Sequence, residues 1–145
     1  MRSAAVSAIF IIAAVALLGV HGAKLARSNI ELVCRSPARP LAKIELVFGT
    51  QRKNALAISD EEWTAFLAAE VTPRFPDGLT VLAGYGQWRD ASGLLVKETS
   101  RLLLIWYAPE TDADARIEAI RSAYKTRFGQ ESVLRADGAP ACVSF

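Results

Sequence analysis

The chain has 145 residues, of which 52% are hydrophobic, and its formal net charge at pH 7 is +2. This length fits one domain and leaves no room for a second, because single domains typically hold ~100 to 200 residues. The near-neutral charge excludes the strongly basic surface that is typical of nucleic-acid-binding proteins.

Residues 1–22 are typical of an export signal. Arg2 is followed by a run from Ala4 to Val20 that contains no charge, and small residues precede a cleavage point that would leave Ala23 first. The run also reaches the ~17 residues that a membrane-spanning helix needs at minimum. We therefore predict a cleaved signal and a periplasmic or secreted protein. The alternative is an uncleaved anchor in the inner membrane, formed by residues 4–20.

The segment that follows, residues 23–42, is basic and irregular and carries prolines at positions 37 and 40. We predict that it is a tether to a single α+β domain at residues 43–145. His21, the one histidine of the chain, would leave with the signal. A chain without histidine cannot run a Ser-His-Asp mechanism or build a histidine metal site, so we predict neither a metal site nor a cofactor.

The chain has two cysteines, Cys34 and Cys142. In an oxidising compartment such a pair is interpreted first as a disulfide. The chain-entropy model gives roughly 4 to 5 kcal/mol for a cross-link that closes so long a loop, and strain usually reduces this figure. Two free thiols are the first alternative, and a metal or catalytic role is the second.

The folded region is predicted to begin with a strand at Lys43, where apolar and polar residues alternate with the period of two that a half-buried strand requires. A helix follows with a complete start signal, because Ser59 can act as the N-cap and Glu62, three residues later, completes a capping box. Trp63 is the first residue of the apolar stripe of this helix, and Pro73 ends the helix.

Two strands joined by the turn Asp90-Ala91-Ser92-Gly93 are predicted next, from Leu79 to Arg89 and from Leu94 to Tyr107. The second of these strands is apolar on both sides. Its two alternating sets of side chains are Leu102, Leu104 and Trp106, and Leu103, Ile105 and Tyr107. We therefore predict a central strand that is covered on both faces.

A second helix is predicted after Pro109, with Thr111 as its N-cap and Gly129 as its C-cap, and two short strands follow at residues 132–135 and 141–145. The order β, α, β, β, α, β with a terminal strand predicts a ferredoxin-like α+β sandwich, an antiparallel sheet with both helices on one face. The uncovered face would then need a cover, and a homodimer that pairs two sheets provides one. We expect that cover over Leu103, Ile105 and Tyr107.

Candidate binding residues lie on the predicted hairpin and on the corner before it. Arginines can hold a carboxylate or phosphate, tyrosine and glutamine can orient a ligand, and tryptophan provides a flat apolar wall. The set is Arg74, Asp77, Tyr85, Gln87, Trp88 and Arg89. Structural roles are the alternative: a turn residue for Asp77, a cross-strand aromatic for Trp88, and an ion pair between Arg89 and Glu98.

Four segments of the domain resemble one family. They are ELVFGT at 45–50, SDEEWTAFLAAEVTPRFPDGLTVL at 59–82, GQWRD at 86–90 and RIEAIRSAYKTRFGQESVLR at 116–135. In this order they are similar to the domain of unknown function family 3574, which is found in exported or membrane-tethered bacterial proteins. The resemblance covers residues 43–145, and because the family has no assigned function it offers no catalytic residues to carry over.

Two functions fit these observations. The main prediction is a noncatalytic module of the bacterial envelope that binds a small molecule or a protein through the hairpin. The alternative, by analogy of fold alone, is a cofactor-independent isomerase or oxygenase-like enzyme on a ferredoxin-like dimer. In that enzyme Tyr85 or Asp77 would act as acid or base, and Arg74 or Arg89 would hold an anionic substrate. These side chains would then have to share a closed pocket.

Overall fold

The structure is a computed structural model that describes residues 32–52 and 55–145. These residues form β1 (Arg39–Gly49), α1 (Asp60–Phe66), β2 (Thr80–Arg89), β3 (Leu95–Tyr107), α2 (Ala113–Phe128) and β4 (Leu134–Val143). A π-helical segment, Leu67–Val71, continues α1. The predicted signal or anchor at residues 1–22 lies outside the described residues. Among the helices that are described, none has the length and apolar character to cross a membrane.

The described strands form one four-stranded sheet in the order β2-β3-β1-β4, and each neighbouring pair is antiparallel. The prediction of an α+β domain with an antiparallel sheet and two helices is confirmed for this part of the chain. The turn between β2 and β3 is fixed by Asp90, whose Oδ1 accepts hydrogen bonds from the backbone N–H groups of Ser92 and Leu94, both at 2.9 Å. Gly93 adopts the positive φ of +87° that this turn requires.

The first helix begins with the predicted capping box. The backbone N–H of Glu62 donates to Ser59 Oγ at 3.3 Å, and the backbone N–H of Ser59 donates to Glu62 Oε2 at 3.1 Å. A cap of this kind contributes ~1 kcal/mol to helix stability. At the other end, the backbone N–H of Thr72 donates to Leu67 O at 2.9 Å, and Pro73 cannot continue the helix.

The helices cover one face of the sheet and enclose the core. Ile44, Leu46 and Phe48 of β1 have no exposed surface, and pairing places Ile44 beside Ile105 and Leu46 beside Leu103. Aromatic rings from the sheet and both helices meet there, with centroids 4.6 to 6.0 Å apart: Phe48, Trp63, Phe66, Tyr124 and Phe128. Such pairs contribute ~0.5–1.5 kcal/mol each beyond the area they bury.

The other face of the sheet, which we call the open face, carries the alternate side chains of the same strands. These are Lys43, Glu45, Val47, Leu82, Leu102, Leu104, Trp106 and Leu134. The prediction that Leu103, Ile105 and Tyr107 need cover from a second sheet is wrong. Residues directly opposite each other in an antiparallel pair share a face, so their pairing with β1 puts these three side chains under the helices.

The bounds of β1, α2 and β4 differ from the predictions. β1 begins at Arg39, inside the predicted tether, because Arg39 and Pro40 pair with the far end of β4. The N-cap of α2 is Asp112 instead of Thr111, and its side chain makes no capping hydrogen bond. β4 is one strand that overlaps both predicted short strands. Asp137 and Gly138 pair regularly with Ile44 and Lys43, and the register shifts at the next two residues, opposite the stretch between Leu41 and Lys43.

A disulfide joins Cys34 to Cys142, with the two Cα atoms 5.5 Å apart, as predicted. It fastens the segment before β1 to the end of β4, across a sequence separation of 108 residues. Disulfides form and persist in oxidising compartments. The bond therefore indicates an oxidising, extracytoplasmic environment for this domain.

Candidate functional site

Alternation along β2 divides the predicted hairpin residues between the two faces of the sheet. Tyr85 pairs with Thr99 and Gln87 with Lys97 on the helix side, whereas Trp88 pairs with Val96 on the open face. Tyr85 is 92% exposed. Together with Lys97 and Thr99, it lines a broad surface depression that is open to solvent.

The other predicted residues make local structural contacts or face solvent. Arg74 donates from Nη1 to the carbonyl oxygen of Glu70 at 2.6 Å and to the Glu70 carboxylate at 2.9 Å, so it closes the end of the first helix. Arg89 donates to Gly93 O at 2.9 Å, and the predicted ion pair with Glu98 does not form. Asp77 is exposed at the corner before β2.

The pocket required by the Tyr85, Asp77 and Arg89 enzyme mechanism is absent from the described residues, because all three side chains are exposed. Asp77 lies beyond Thr80, at the opposite end of β2 from Arg89. At ~3.3 Å per residue, the length of this strand alone separates them by about 30 Å. The mechanism assigned to these residues is therefore wrong.

The fold assembles a different group around Glu98, on β3. The Glu98 carboxylate accepts a hydrogen bond from Trp88 Nε1 at 2.6 Å and one from the backbone N–H of Gln51 at 3.0 Å. Each bond goes to a different carboxylate oxygen, so each oxygen keeps a free lone pair. A Cβ atom at Gly49 would lie only 2.5 Å from Glu98 Oε1, which explains why glycine ends β1 at this point.

The Glu98 carboxylate borders two adjoining cavities at one end of the open face. The larger has a volume of about 230 Å³ and is lined by Val47, Gly49, Gly86, Gln87, Trp88, Glu98, Ser100, Gln130, Ser132 and Leu134. The smaller, of about 100 Å³, shares Trp88, Glu98 and Gln130 with it and adds Gln51, Arg52, Asp90, Val96, Gly129 and Glu131. We call the two cavities together the Glu98 groove.

The end of α2 positions Gln130 in this groove. Gly129 ends the helix in the left-handed conformation, with φ +66°, and reverses the chain toward β1. Gln130 Nε2 then donates to the backbone oxygen of Gln51 at 2.8 Å. Gln51 is thus held from both sides, by Gln130 through its oxygen and by Glu98 through its N–H.

The core supports the groove through Tyr124. Its hydroxyl donates to Gly49 O at 2.8 Å. Burial raises the pKa of Tyr124, and the negative charge of Glu98 raises it further. The hydroxyl therefore stays protonated at neutral pH and keeps the donor role. Within residues 32–52 and 55–145, no cluster of three or more His, Cys, Asp and Glu side chains could hold a metal ion.

Sequence reasoning found two residues of this groove, Gln87 and Trp88, and named Glu98 only as a partner for Arg89. A local signal existed in the glycine that ends β1. Gly49 directly follows a strongly apolar strand. A glycine at such a position often marks a site where another group approaches the backbone closely. The identity of the approaching group depends on the pairing of β3 with β1, which no single segment reveals.

Comparison with known proteins places these features in a family. The profile described as "Protein of unknown function (DUF3574)" matches residues 43–145. The chain belongs to the DUF3574 family. A search of curated proteins found no match. The resemblance predicted from the four segments is thereby confirmed, and the Glu98 groove lies within the matched region.

Two solved structures resemble the fold of this DUF3574 protein. One is a phage SAM lyase in complex with S-methyl-5'-thioadenosine, with a TM-score of 0.57 and 17% identity over 72% of this chain and 90% of that chain. The other is a phage SAM lyase in the apo state, with a TM-score of 0.57 and 14% identity over 79% and 97%. At this identity the likeness concerns the fold.

This finding corrects the prediction of a noncatalytic binding module. Both structures are of a lyase, so the fold that the DUF3574 chain shares with them is one that carries catalysis. The enzyme alternative has the better support.

Proposed function

We propose that this domain is a lyase that cleaves a carbon–sulfur bond of a sulfonium nucleoside in the Glu98 groove. The proposal rests on the carboxylate of Glu98, which accepts hydrogen bonds from two donors and keeps free lone pairs. It lies beside the indole ring of Trp88 in a cavity of about 230 Å³. The fold likeness to the phage SAM lyase supports the class of reaction. It favours a lyase over the isomerase or oxygenase of the original alternative.

The lining of the groove suits each part of such a substrate. The negative carboxylate of Glu98 attracts the sulfonium cation, and the indole of Trp88 offers a flat surface on which a purine can stack. Gln130 and Ser132 provide amide and hydroxyl groups for the ribose and the base edge. Of the six residues predicted from the sequence, we propose a binding role for Trp88 alone, because the side chain of Gln87 lies on the helix side of the sheet.

Glu98 is the base in the proposed step. One carboxylate oxygen takes a proton from the carbon adjacent to the carbon that bears sulfur. The C–H electron pair forms a carbon–carbon double bond, and the C–S pair leaves on sulfur. The products are a neutral thioether nucleoside, an unsaturated amino acid and a proton that Glu98 returns to water. Because the leaving group is neutral, the step as written needs no added cofactor.

We further propose that the topology is ferredoxin-like and that the protein works in the periplasm or is secreted. The order β2-β3-β1-β4, with a helix after β1 and another after β3, supports the first proposal. The Cys34–Cys142 disulfide supports the second. The export signal at residues 1–22 and the anchor alternative stay predictions.

Incubation of the purified full-length chain with S-adenosylmethionine tests the proposed activity. Release of S-methyl-5'-thioadenosine, followed by liquid chromatography and mass spectrometry, is the expected result. Glu98→Gln should lower kcat by at least ~100-fold, as loss of a general base does. Glu61→Gln is the matched control, because it removes an exposed carboxylate from α1, outside the groove, and should leave the rate unchanged.

A substrate deuterated at the carbon that loses its proton separates catalysis from binding. If Glu98 is the base, kcat should fall severalfold on deuteration. Trp88→Phe keeps the aromatic surface but removes one donor to Glu98, so it should lower kcat with a smaller change in KM. No release of the thioether and no binding of S-methyl-5'-thioadenosine by calorimetry would overturn the proposed function. Release that Glu98→Gln leaves intact would overturn the assigned site.

A further inference from the structure

The centre of the open face combines apolar side chains with one pair of opposite charges. Lys43 Nζ lies 2.8 Å from Glu45 Oε1, and both side chains are about one-third exposed, at 31% and 35%. Around them stand Val47, Leu82, Leu102, Leu104, Trp106 and Leu134. Leu82 is 50% exposed and Leu134 57%. Contiguous apolar surface of this kind on a sheet is typical of an interaction site.

The same face is flat enough to accept another sheet. Lys43 does not project from it: the side chain lies over the backbone of β4, where a Cβ atom at Gly138 would come within 2.6 Å of Lys43 Cε. Its Nζ also lies 5.9 Å from the centre of the Trp106 ring. On β2 the open-face positions Gly84 and Gly86 have no side chain to obstruct an approach.

We infer that the open face binds the open face of a second copy of this chain, with the two sheets stacked face to face. The inference rests on the charges of Lys43 and Glu45, because one copy of this pair can match the opposite charges of a second copy. Lys43 and Glu45 are two residues apart on β1, on either side of Ile44. A two-fold axis across the strands at the level of Ile44 reverses β1, so Lys43 of each copy faces Glu45 of the other.

The charges also select one geometry from the two that keep the strands of the stacked sheets aligned. A two-fold axis along the strands would place Lys43 opposite Lys43 and Glu45 opposite Glu45, and juxtaposed like charges oppose association. The axis across the strands instead forms a closed group of four alternating charges in an apolar surround. The Glu98 groove lies at the end of the face, away from the axis, and shares Val47 and Leu134 with the border of the interface.

The size of the face sets the expected strength. Four strands spaced ~4.8 Å apart, with about eight residues each at ~3.3 Å, give a footprint on the order of 500 Å². This is below the ~800 Å² per partner of a standard interface. We therefore expect a reversible dimer with a dissociation constant in the micromolar range. At that strength, the change in dissociation constant caused by a single charge reversal can be measured in solution.

Charge reversal at the two positions tests both the partner and the geometry. Glu45→Lys gives each copy two positive charges at the centre of the face, and Lys43→Glu gives each copy two negative charges. Each variant alone should dimerise at least ~10-fold more weakly than the wild type. The two variants mixed in equal amounts should pair with each other, and the double reversal Lys43→Glu/Glu45→Lys should dimerise like the wild type.

Sedimentation velocity of the full-length chain, in the same detergent for all samples, measures these associations across micromolar concentrations. Glu61→Lys is the matched control, because it changes the net charge by the same amount on the exposed side of α1 and should dimerise normally. Circular dichroism checks that each variant is folded. Three results would each overturn the inference: a wild type that stays monomeric, a mixture that associates no better than its components, or a double reversal that is not restored.

Discussion

The two faces of the sheet are built from alternate residues of the same strands and yet differ in almost every property. On the helix side, Ile44, Leu46 and Phe48 have no exposed surface and pack into a cluster of aromatic rings. On the open face, Lys43 and Glu45 interrupt the apolar surface, and its end holds the Glu98 groove. The period of two thus places the buried core on one face and the proposed binding surfaces on the other.

The two faces meet at Gly49. From the helix side the Tyr124 hydroxyl bonds to the backbone oxygen of Gly49 at 2.8 Å. From the open face the Glu98 carboxylate lies against the same residue and bonds to Gln51. A rigid core therefore sets the position of the proposed catalytic group. Substitutions on one face or the other test this division of roles.

Adjacent substitutions on β3 should give the largest contrast. Ile105 is 1% exposed under the helices, so Ile105→Ala should lower the free energy of unfolding by about 2 to 5 kcal/mol. Leu104 is partly exposed on the open face, and Leu104→Ala should cost about 1 kcal/mol or less. Denaturant unfolding of dilute protein measures both. Equal losses would show that the open face is as tightly packed as the core.

Removal of the disulfide should have the next largest effect. It fastens β4, which contributes residues to both faces, without touching the Glu98 groove. The double substitution Cys34→Ser/Cys142→Ser should reduce the free energy of unfolding by about 2 to 4 kcal/mol and leave nucleoside binding unchanged. Added reductant should destabilise the wild type and leave the double variant unaffected. Two thiols that alkylate without reductant would contradict the pairing.

The sequence predicted well those elements whose signals are local. Alternation around Ile44 predicted β1, and the Ser59 and Glu62 pair predicted the start of α1, because caps and periodicity depend on a few neighbouring residues. The disulfide between Cys34 and Cys142 was predicted from the oxidising compartment that the export signal implies. β3 was different: with apolar residues on both sides, its orientation depends on its register with β1, which is a long-range property.

The candidate site was harder to predict for the same reason. Gly49, Gln51, Trp88, Glu98 and Gln130 come from four separate segments, and the pairing of three strands and the end of α2 bring them together. No spacing along the chain marks them as a group. The hairpin residues that look most reactive in the sequence, such as Tyr85, instead extend into solvent.

A glycine substitution where the faces meet should have a smaller effect on stability and a large one on the groove. Gly49→Ala puts a Cβ atom 2.5 Å from the Glu98 carboxylate, which must then leave Trp88 and Gln51. We expect a loss of about 1 kcal/mol in the free energy of unfolding, since the crowded group is a side-chain end that can move. Binding of S-methyl-5'-thioadenosine, measured by calorimetry, should weaken at least ~10-fold, a change of ~1.4 kcal/mol.

Leu104→Ala is the matched control for that experiment. Its expected loss of stability is similar, about 1 kcal/mol or less, but Leu104 lies outside the Glu98 groove and the Glu98 hydrogen bonds would persist. Binding of S-methyl-5'-thioadenosine should therefore stay unchanged. If both variants weakened binding equally, the position of the Glu98 carboxylate would not be what matters.

The smallest expected effect is a pH dependence at the edge of the helix side. Arg135 on β4 contacts Asp137 at 2.8 Å and Glu118 on α2 at 2.7 Å. Hydrogen bonds from Arg135, and then from Arg121, lower the pKa of Glu118. A lowered folded-state pKa means that this stabilisation is present above the unfolded-state value of about 4.3 and is lost as pH falls through the folded-state value.

Substitution of Arg135 should therefore flatten the acid limb of the stability profile. In Arg135→Gln the free energy of unfolding should fall less steeply between about pH 5 and pH 3, where the wild type protonates Glu118. The difference should not exceed the ~0.2 to 1 kcal/mol typical of exposed ion pairs, and high salt should shrink it. Arg89→Gln, which removes a solvated arginine of the hairpin, should leave the limb unchanged. Identical slopes in all three proteins would mean that the contact between Arg135 and Glu118 does not stabilise the helix side.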